Sequence, residues 1–151
     1  MIYNDFNGIK LSALGMGNMR LPVVDGNDSQ IDVDAAREMI DYCMESGVNY
    51  YDTAYGYHGG QSELVVGELL KKYDRDKFYL ASKFPGYDLS NMPKVKEIFE
   101  DQLKKCQVEY FDFSLLQWLL PLWILTSNLN AALTVIVVKK YVHRQYIFRM
   151  N

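Results

Sequence analysis

A chain of 151 residues can form one ordinary domain with a core of its own. Its 49% apolar and 23% charged residues exclude a disordered or fibrous protein, and a net charge of −3 goes with no nucleic-acid partner. Two cysteines, Cys43 and Cys106, are too few for a disulfide framework; both fall on apolar positions of predicted helices and read as small buried hydrophobes. Met1 to Lys10 is polar and lacks the apolar region of a signal peptide, so the expected location is the cytoplasm.

The predicted elements alternate. Ile9 to Gly17 is an apolar strand running into the tight loop Gly15-Met16-Gly17-Asn18. Gly26-Asn27-Asp28-Ser29 is a turn. Asp32 or Asp34 caps a first helix, whose face carries Ala36, Met39, Ile40, Cys43 and Met44, and Gly47 sits where its C-terminal cap belongs. Val48 to Asp52 is a strand. Ser62 to Tyr73 is a helix with Leu64, Gly67 and Leu69 or Leu70 on one face. Lys77 to Lys83 is the next strand. Pro93 suits the first turn of a third helix, with Val95, Ile98, Phe99, Gln102, Leu103 and Cys106 along its face. Tyr110 to Leu116 is the fourth strand of this alternation.

That order implies parallel strands joined by right-handed crossovers, covered on both faces. A doubly wound sheet and a part of a (β/α)₈ barrel both fit. In either, chemistry belongs at the C-terminal strand ends, where Gly17, Asp52, Lys83 and Gln117 fall. Gly15-x-Gly17 is no dinucleotide fingerprint, because a third glycine and an immediate helix are missing.

Asp52, Tyr57 and Lys83 are the parts of a tuned proton donor. A tyrosine phenol has a pKa of about 10. A nearby ammonium stabilises the phenolate and brings that value down. A carboxylate beyond the lysine keeps it charged and in place. Such a group suits protonation of a carbonyl oxygen while hydride reaches carbon, with a nicotinamide cofactor as the hydride source. Ordinary roles are also open: a turn or cap at Asp52, packing for Tyr55 and Tyr57, a solvated strand end at Lys83. His58 reads as a loop or substrate-rim residue rather than a metal ligand, since the other histidine, His143, is far away in the tail. No metal site is expected.

Tyr51-Asp52-Thr53-Ala54-Tyr55-Gly56-Tyr57, Ser62-Glu63, Leu80-Ala81-Ser82-Lys83 and Tyr110 to Leu116 together resemble the N-terminal half of aldo-keto reductases. Leu14 to Pro22 and Tyr57-His58-Gly59-Gly60 look most like the prokaryotic branch that often carries a C-terminal iron–sulfur segment. The resemblance implies a (β/α)₈ barrel, present here as about its first four β/α strands, and NADP(H)-dependent reduction of a small carbonyl substrate. By that resemblance Asp52 is the relay carboxylate, Tyr57 the general acid and Lys83 its partner. Gly17, Asn18 and Met19, with Asp52, lie near the nicotinamide. The family's fourth catalytic position is usually histidine; here it is Gln117, which can donate a hydrogen bond but cannot titrate.

The chain changes character near that residue. All 19 acidic residues lie at or before Asp112, against 12 bases there, and the only charges beyond are Lys139, Lys140, Arg144 and Arg149. Residues 1–117 therefore read as the barrel part and 118–151 as an atypical apolar, then basic, tail. Trp118 to Val138 holds 21 residues without a charge. Three readings account for it. A shifted reading frame explains the loss of acids and of β/α rhythm, and glutamine and histidine codons differ only in the third base. A membrane anchor fits the length and the following bases, against Pro121, Ser127, Asn128 and Asn130. A buried helix and strand would cover part of an open half barrel, with Leu133 to Val138 as the strand. A half barrel leaves two open sheet edges and an apolar inner face, so self-association and inactivity of the isolated chain are expected.

Overall fold

The computed structural model describes residues 1–116 and 135–136. Gln117, His143, the Lys139-Lys140 pair and nearly all of the uncharged run lie outside the described residues.

The chain opens with an antiparallel hairpin, β1 (Tyr3–Phe6) and β2 (Ile9–Ser12), turning over Asn7 and Gly8 at φ 52° and 81°. Both angles are left-handed, as a two-residue type I′ hairpin turn requires. The single strand expected from Ile9 to Gly17 is therefore two strands, with β3 reduced to Met16–Gly17. Asn49 holds the end of β2. Its amide Oδ1 accepts from Ser12 N–H at 2.7 Å, its Nδ2 donates to the Lys10 carbonyl at 2.9 Å, and its own N–H donates to Ser12 Oγ at 3.0 Å. These bonds satisfy backbone groups of β2 that point away from β1.

Three strand–helix–strand steps follow. The helices are α1 (Val33–Glu45), α2 (Ser62–Leu70) and α3 (Val95–Lys105). They alternate with β4 (Tyr50–Asp52), β5 (Tyr79–Phe84) and β6 (Phe113–Leu116). Strands β3, β4, β5 and β6 pair in parallel and in chain order. A doubly wound sheet reverses its order at a switch point; none occurs among the described strands. With right-handed crossovers, this sequence puts every helix on one face. The described residues form a partial α/β fragment, and no barrel is closed among them. A short strand β7 (Val135–Ile136) pairs antiparallel with β6, inside the segment where β-branched residues predict a strand.

The alternation of side chains along the strands makes two cores. Tyr51, Leu80, Phe78 and Phe111 face the helices and pack with Ala36, Ile40, Val66, Leu69 and Leu70. Ala81, Phe113 and Leu115 face the other way, with Leu11, Tyr50 and Tyr79 against them. Phe6 of the hairpin reaches the Phe113 ring edge-on, at 6.0 Å between centroids.

Asp32 caps α1 as expected, its side chain accepting from Ala35 N–H at 3.0 Å, and Gly47 at φ 83° turns the chain out of the helix. Two apolar face assignments fail. Met39 and Leu64 are 43% and 42% exposed, because the buried stripes run through Ala36 and Ile40 in α1 and through Val66, Leu69 and Leu70 in α2. Cys106 is buried and Cys43 partly so, and both are free thiols. Burial pushes both thiols up, as befits packing groups.

The lower end of the sheet is held by Arg75. Its guanidinium donates to the Phe78 carbonyl at 2.8 Å, the Tyr110 carbonyl at 3.0 Å and Asp112 Oδ2 at 2.6 Å. It also lies over the Phe78 and Tyr110 rings, 4.9 and 4.1 Å from their centroids. Asp112 Oδ2 in turn accepts from Leu80 N–H at 2.8 Å, so the start of β5 is tied to the residue before β6. A planar fork fills these positions and an ammonium cannot. Arg75→Lys is expected to lower unfolding free energy by about 1–2 kcal/mol in urea titrations.

Candidate active site

The C-terminal ends of β3, β4 and β5 come together because their register is staggered by the parallel ladder. Gly17 lies opposite Asp52, and Asp52 opposite Ala81, two residues before Lys83. Asp52 and Lys83 both point to the face away from the helices. The Lys83 ammonium donates to Asp52 Oδ1 and, at 3.0 Å, to the Thr53 carbonyl. Their side chains are only 24% and 14% exposed, so solvent screens the pair weakly.

Tyr57 reaches the same point from a short 3₁₀ turn, Tyr57–Gly60. Lys83 Nζ lies 4.9 Å from the centroid of its half-buried ring. The loop is anchored at both ends: Tyr55 N–H donates to the Lys83 carbonyl at 3.3 Å and Tyr57 N–H to the Ala54 carbonyl at 3.2 Å. Two other tyrosines flank Asp52. Burial, with the Asp52 charge added, pushes the Tyr50 phenol up to about 12. Burial pushes Tyr51 up as well, and its hydroxyl is spent on the Val48 carbonyl at 3.2 Å. Neither is a convenient acid.

Gly17 is exposed, and among the described residues, its two chain neighbours aside, nothing lies within 4 Å of where a side-chain Cβ would sit. Met19 is 47% exposed beside it. Asn18 differs: it is fully buried, with Nδ2 donating to the Asp52 carbonyl at 2.8 Å and Oδ1 buried without a partner among the described residues. Its carbonyl accepts from Ser62 Oγ at 3.1 Å, and Ser62 Oγ meets Thr53 Oγ1 at 2.9 Å. Asn18 thus braces the strand end from inside, while Gly17 and Met19 form the open shelf.

His58 sits inside the loop rather than on its surface. It is 3% exposed at φ 54°, and its Nε2 accepts from Leu21 N–H at 3.0 Å. That bond leaves the ring proton on Nδ1, which donates to the Asp28 carbonyl at 2.8 Å. The imidazole fastens the loop after β3 to the Tyr57 turn. Among the described residues no group of three acidic, histidine or cysteine side chains is placed to hold a metal. Nor is any helix among them long and apolar enough to cross a membrane. A cavity of about 390 Å³ lies at the opposite end of the sheet, lined by Leu70, Arg75, Phe78, Cys106 and Val108, and is remote from Asp52.

The sequence pattern of the aldo/keto reductase family matches residues 13–133, a span that reaches past Gln117. Probable aldo-keto reductase 1 of Glycine max is 34% identical over 113 residues, covering 70% of this chain and 32% of its own length. Aldo-keto reductase YhdN of Bacillus subtilis is 31% identical over 125 residues, covering 76% and 37%. Among solved structures, an aldo-keto reductase from Bacillus halodurans in its holo form superposes with a TM-score of 0.56 at 32% identity, over 70% of this chain and 35% of that one. An aldo-keto reductase from Klebsiella pneumoniae in complex with NADPH gives a TM-score of 0.53 at 29% identity, over 72% and 36%. The chain belongs to the aldo/keto reductase family. It spans about a third of the length of the curated relatives it matches.

Proposed function

We propose that this chain carries the proton-donor side of an NADP(H)-dependent carbonyl reductase working on a small aldehyde or ketone in the cytoplasm. The observation that carries the reading is the Lys83 ammonium, bound to Asp52 and lying against the Tyr57 ring. Asp52 holds the Lys83 ammonium in place, against the face of the Tyr57 ring. Tyr57 passes its proton to the carbonyl oxygen as the carbonyl carbon accepts hydride, so the carbonyl becomes an alcohol. By the family resemblance Gln117 stands at the fourth catalytic position, where an amide can donate to a carbonyl oxygen but cannot titrate.

One feature of the strand end supports a nicotinamide ring here. Gly17 offers uncovered backbone and Met19 an exposed apolar side chain, next to the Asp52–Lys83 pair. NADPH bound there would supply the hydride. Two thirds of each curated relative's length lies outside the match, and we assign the principal phosphate and amide contacts of the cofactor to that portion. Two measurements test this. Isothermal titration of the chain alone with NADPH should give no binding heat; micromolar affinity would overturn the division of labour. Co-expression with the C-terminal part of a relative's barrel should give NADPH-dependent reduction of simple aldehydes. A folded complex that binds NADPH and reduces none of them would remove the carbonyl-reductase reading.

A further inference from the structure

Ser82 and Lys83 are consecutive on β5, so their side chains leave opposite faces of the sheet. Lys83 meets Asp52 and Tyr57. Ser82 points toward the helices, where it meets a buried acid. Glu63, in the first turn of α2, is 0% exposed. Its Oε1 accepts from Ser82 Oγ at 2.6 Å and from Gln102 Nε2 at 2.8 Å. Gln102, itself 1% exposed on α3, extends the same amide nitrogen to Ser82 Oγ at 2.9 Å and to the Lys83 carbonyl at 3.1 Å. The cluster therefore grips β5 at the residue that holds the ammonium. The Lys83 carbonyl is also where Tyr55 N–H docks, so the grip reaches the loop that carries Tyr57.

Packing alone does not account for a carboxyl group here. Glu63 Oε2 is buried with no partner among the described residues, and an apolar side chain of that size would avoid its desolvation cost. Burial pushes the Glu63 carboxyl up; the hydrogen bonds from Ser82 and Gln102 and the charge of Lys105 pull it back, while Asp101 adds to the rise.

We propose that Glu63 is a positioning residue which, through Ser82 and Gln102, sets the end of β5 so that the Lys83 ammonium seats between Asp52 and the Tyr57 ring. This rests on the reading of Asp52, Tyr57 and Lys83 given above. It requires an acceptor oxygen at position 63, and it places the effect of Glu63 on Lys83 rather than on stability alone.

The test uses the full chain with isotope-labelled lysine side chains. The Lys83 ammonium resonance is identified by its loss in Lys83→Arg. In Glu63→Met that resonance should shift or vanish through faster exchange, and Glu63→Gln, which keeps an acceptor oxygen, should restore it. A purely structural role would lower the melting temperature and leave the native Lys83 resonance where it was. An unchanged resonance in folded Glu63→Met therefore overturns the proposal. Should Glu63→Met fail to fold, Ser82→Ala cuts the same link with a smaller loss, and an unchanged resonance there overturns it equally. Failure of the catalytic reading would show elsewhere, as turnover that survives in a completed barrel carrying Tyr57→Phe.

Discussion

Tyr57→Phe in a completed barrel is expected to lower NADPH-dependent carbonyl reduction by about 10²–10⁴-fold, the range that a positioned general acid contributes. The substitution removes one oxygen and keeps the ring. The ring face is what the Lys83 ammonium touches, at 4.9 Å from its centroid, so the Asp52–Lys83 pair should keep its geometry. Substrate and cofactor binding should change little. The loss should therefore fall on kcat and leave KM near its starting value, the pattern of an interaction made only in the transition state. The two tyrosines next to Asp52 in the chain are not suited to take over. Tyr50 and Tyr51 are held protonated by burial, and the Tyr51 hydroxyl is bonded to Val48 on the helix side. Steady-state kinetics on one aldehyde, with melting curves to show equal folding, would decide it. A kcat within a few-fold of the starting protein would reassign the proton donor.

The parts of this fold that were legible in the sequence are those fixed by neighbours in the chain. Near-continuous apolar runs marked β4, β5 and β6, because a parallel strand is covered on both faces. Asp32 and Gly47 marked the ends of α1, since a cap is a local contact. The strand ends placed Asp52 beside Lys83 for the same reason: in a parallel ladder, adjacent crossovers bring adjacent ends together. The hairpin of β1 and β2 was missed although Asn7-Gly8 is a turn signal, because the apolar run from Ile9 onward hid the end of β2, which Asn49 holds from 37 residues away. Glu63, Gln102, Arg75 and His58 are the same kind of case. Each has partners 19 to 39 residues distant, which no periodicity encodes. A carboxylate in a helix's first turn is expected on dipole grounds alone, so the position of Glu63 in the sequence carries no sign of burial. Its burial depends on how close α3 lies to α2.

That closeness leads to the second large effect. Gly67→Ala is expected to destabilise the chain by about 2 kcal/mol or more, against a gain of about 1 kcal/mol for the same change in an exposed helix. Gly67 sits at φ values any residue adopts, so strain in the backbone is not the cause. The cause is space. A Cβ built on Gly67 would lie 2.6 Å from the Cys106 Cα, carbonyl carbon and carbonyl oxygen, well inside van der Waals contact. Those atoms belong to the main chain at the end of α3 and cannot turn away as a side chain would. Cys106 N–H is bonded to the Gln102 carbonyl at 2.9 Å, so relief would move the last turn of α3 as a unit. Gln102 would move with it, and its amide would lose reach to Glu63, Ser82 and the Lys83 carbonyl. Two readouts should then change together: a lower urea midpoint, and a displaced Lys83 ammonium resonance in the protein that remains folded. A midpoint equal to or above that of the starting chain would mean that α2 and α3 do not touch at Gly67, and the buried grip on β5 would lose its foundation.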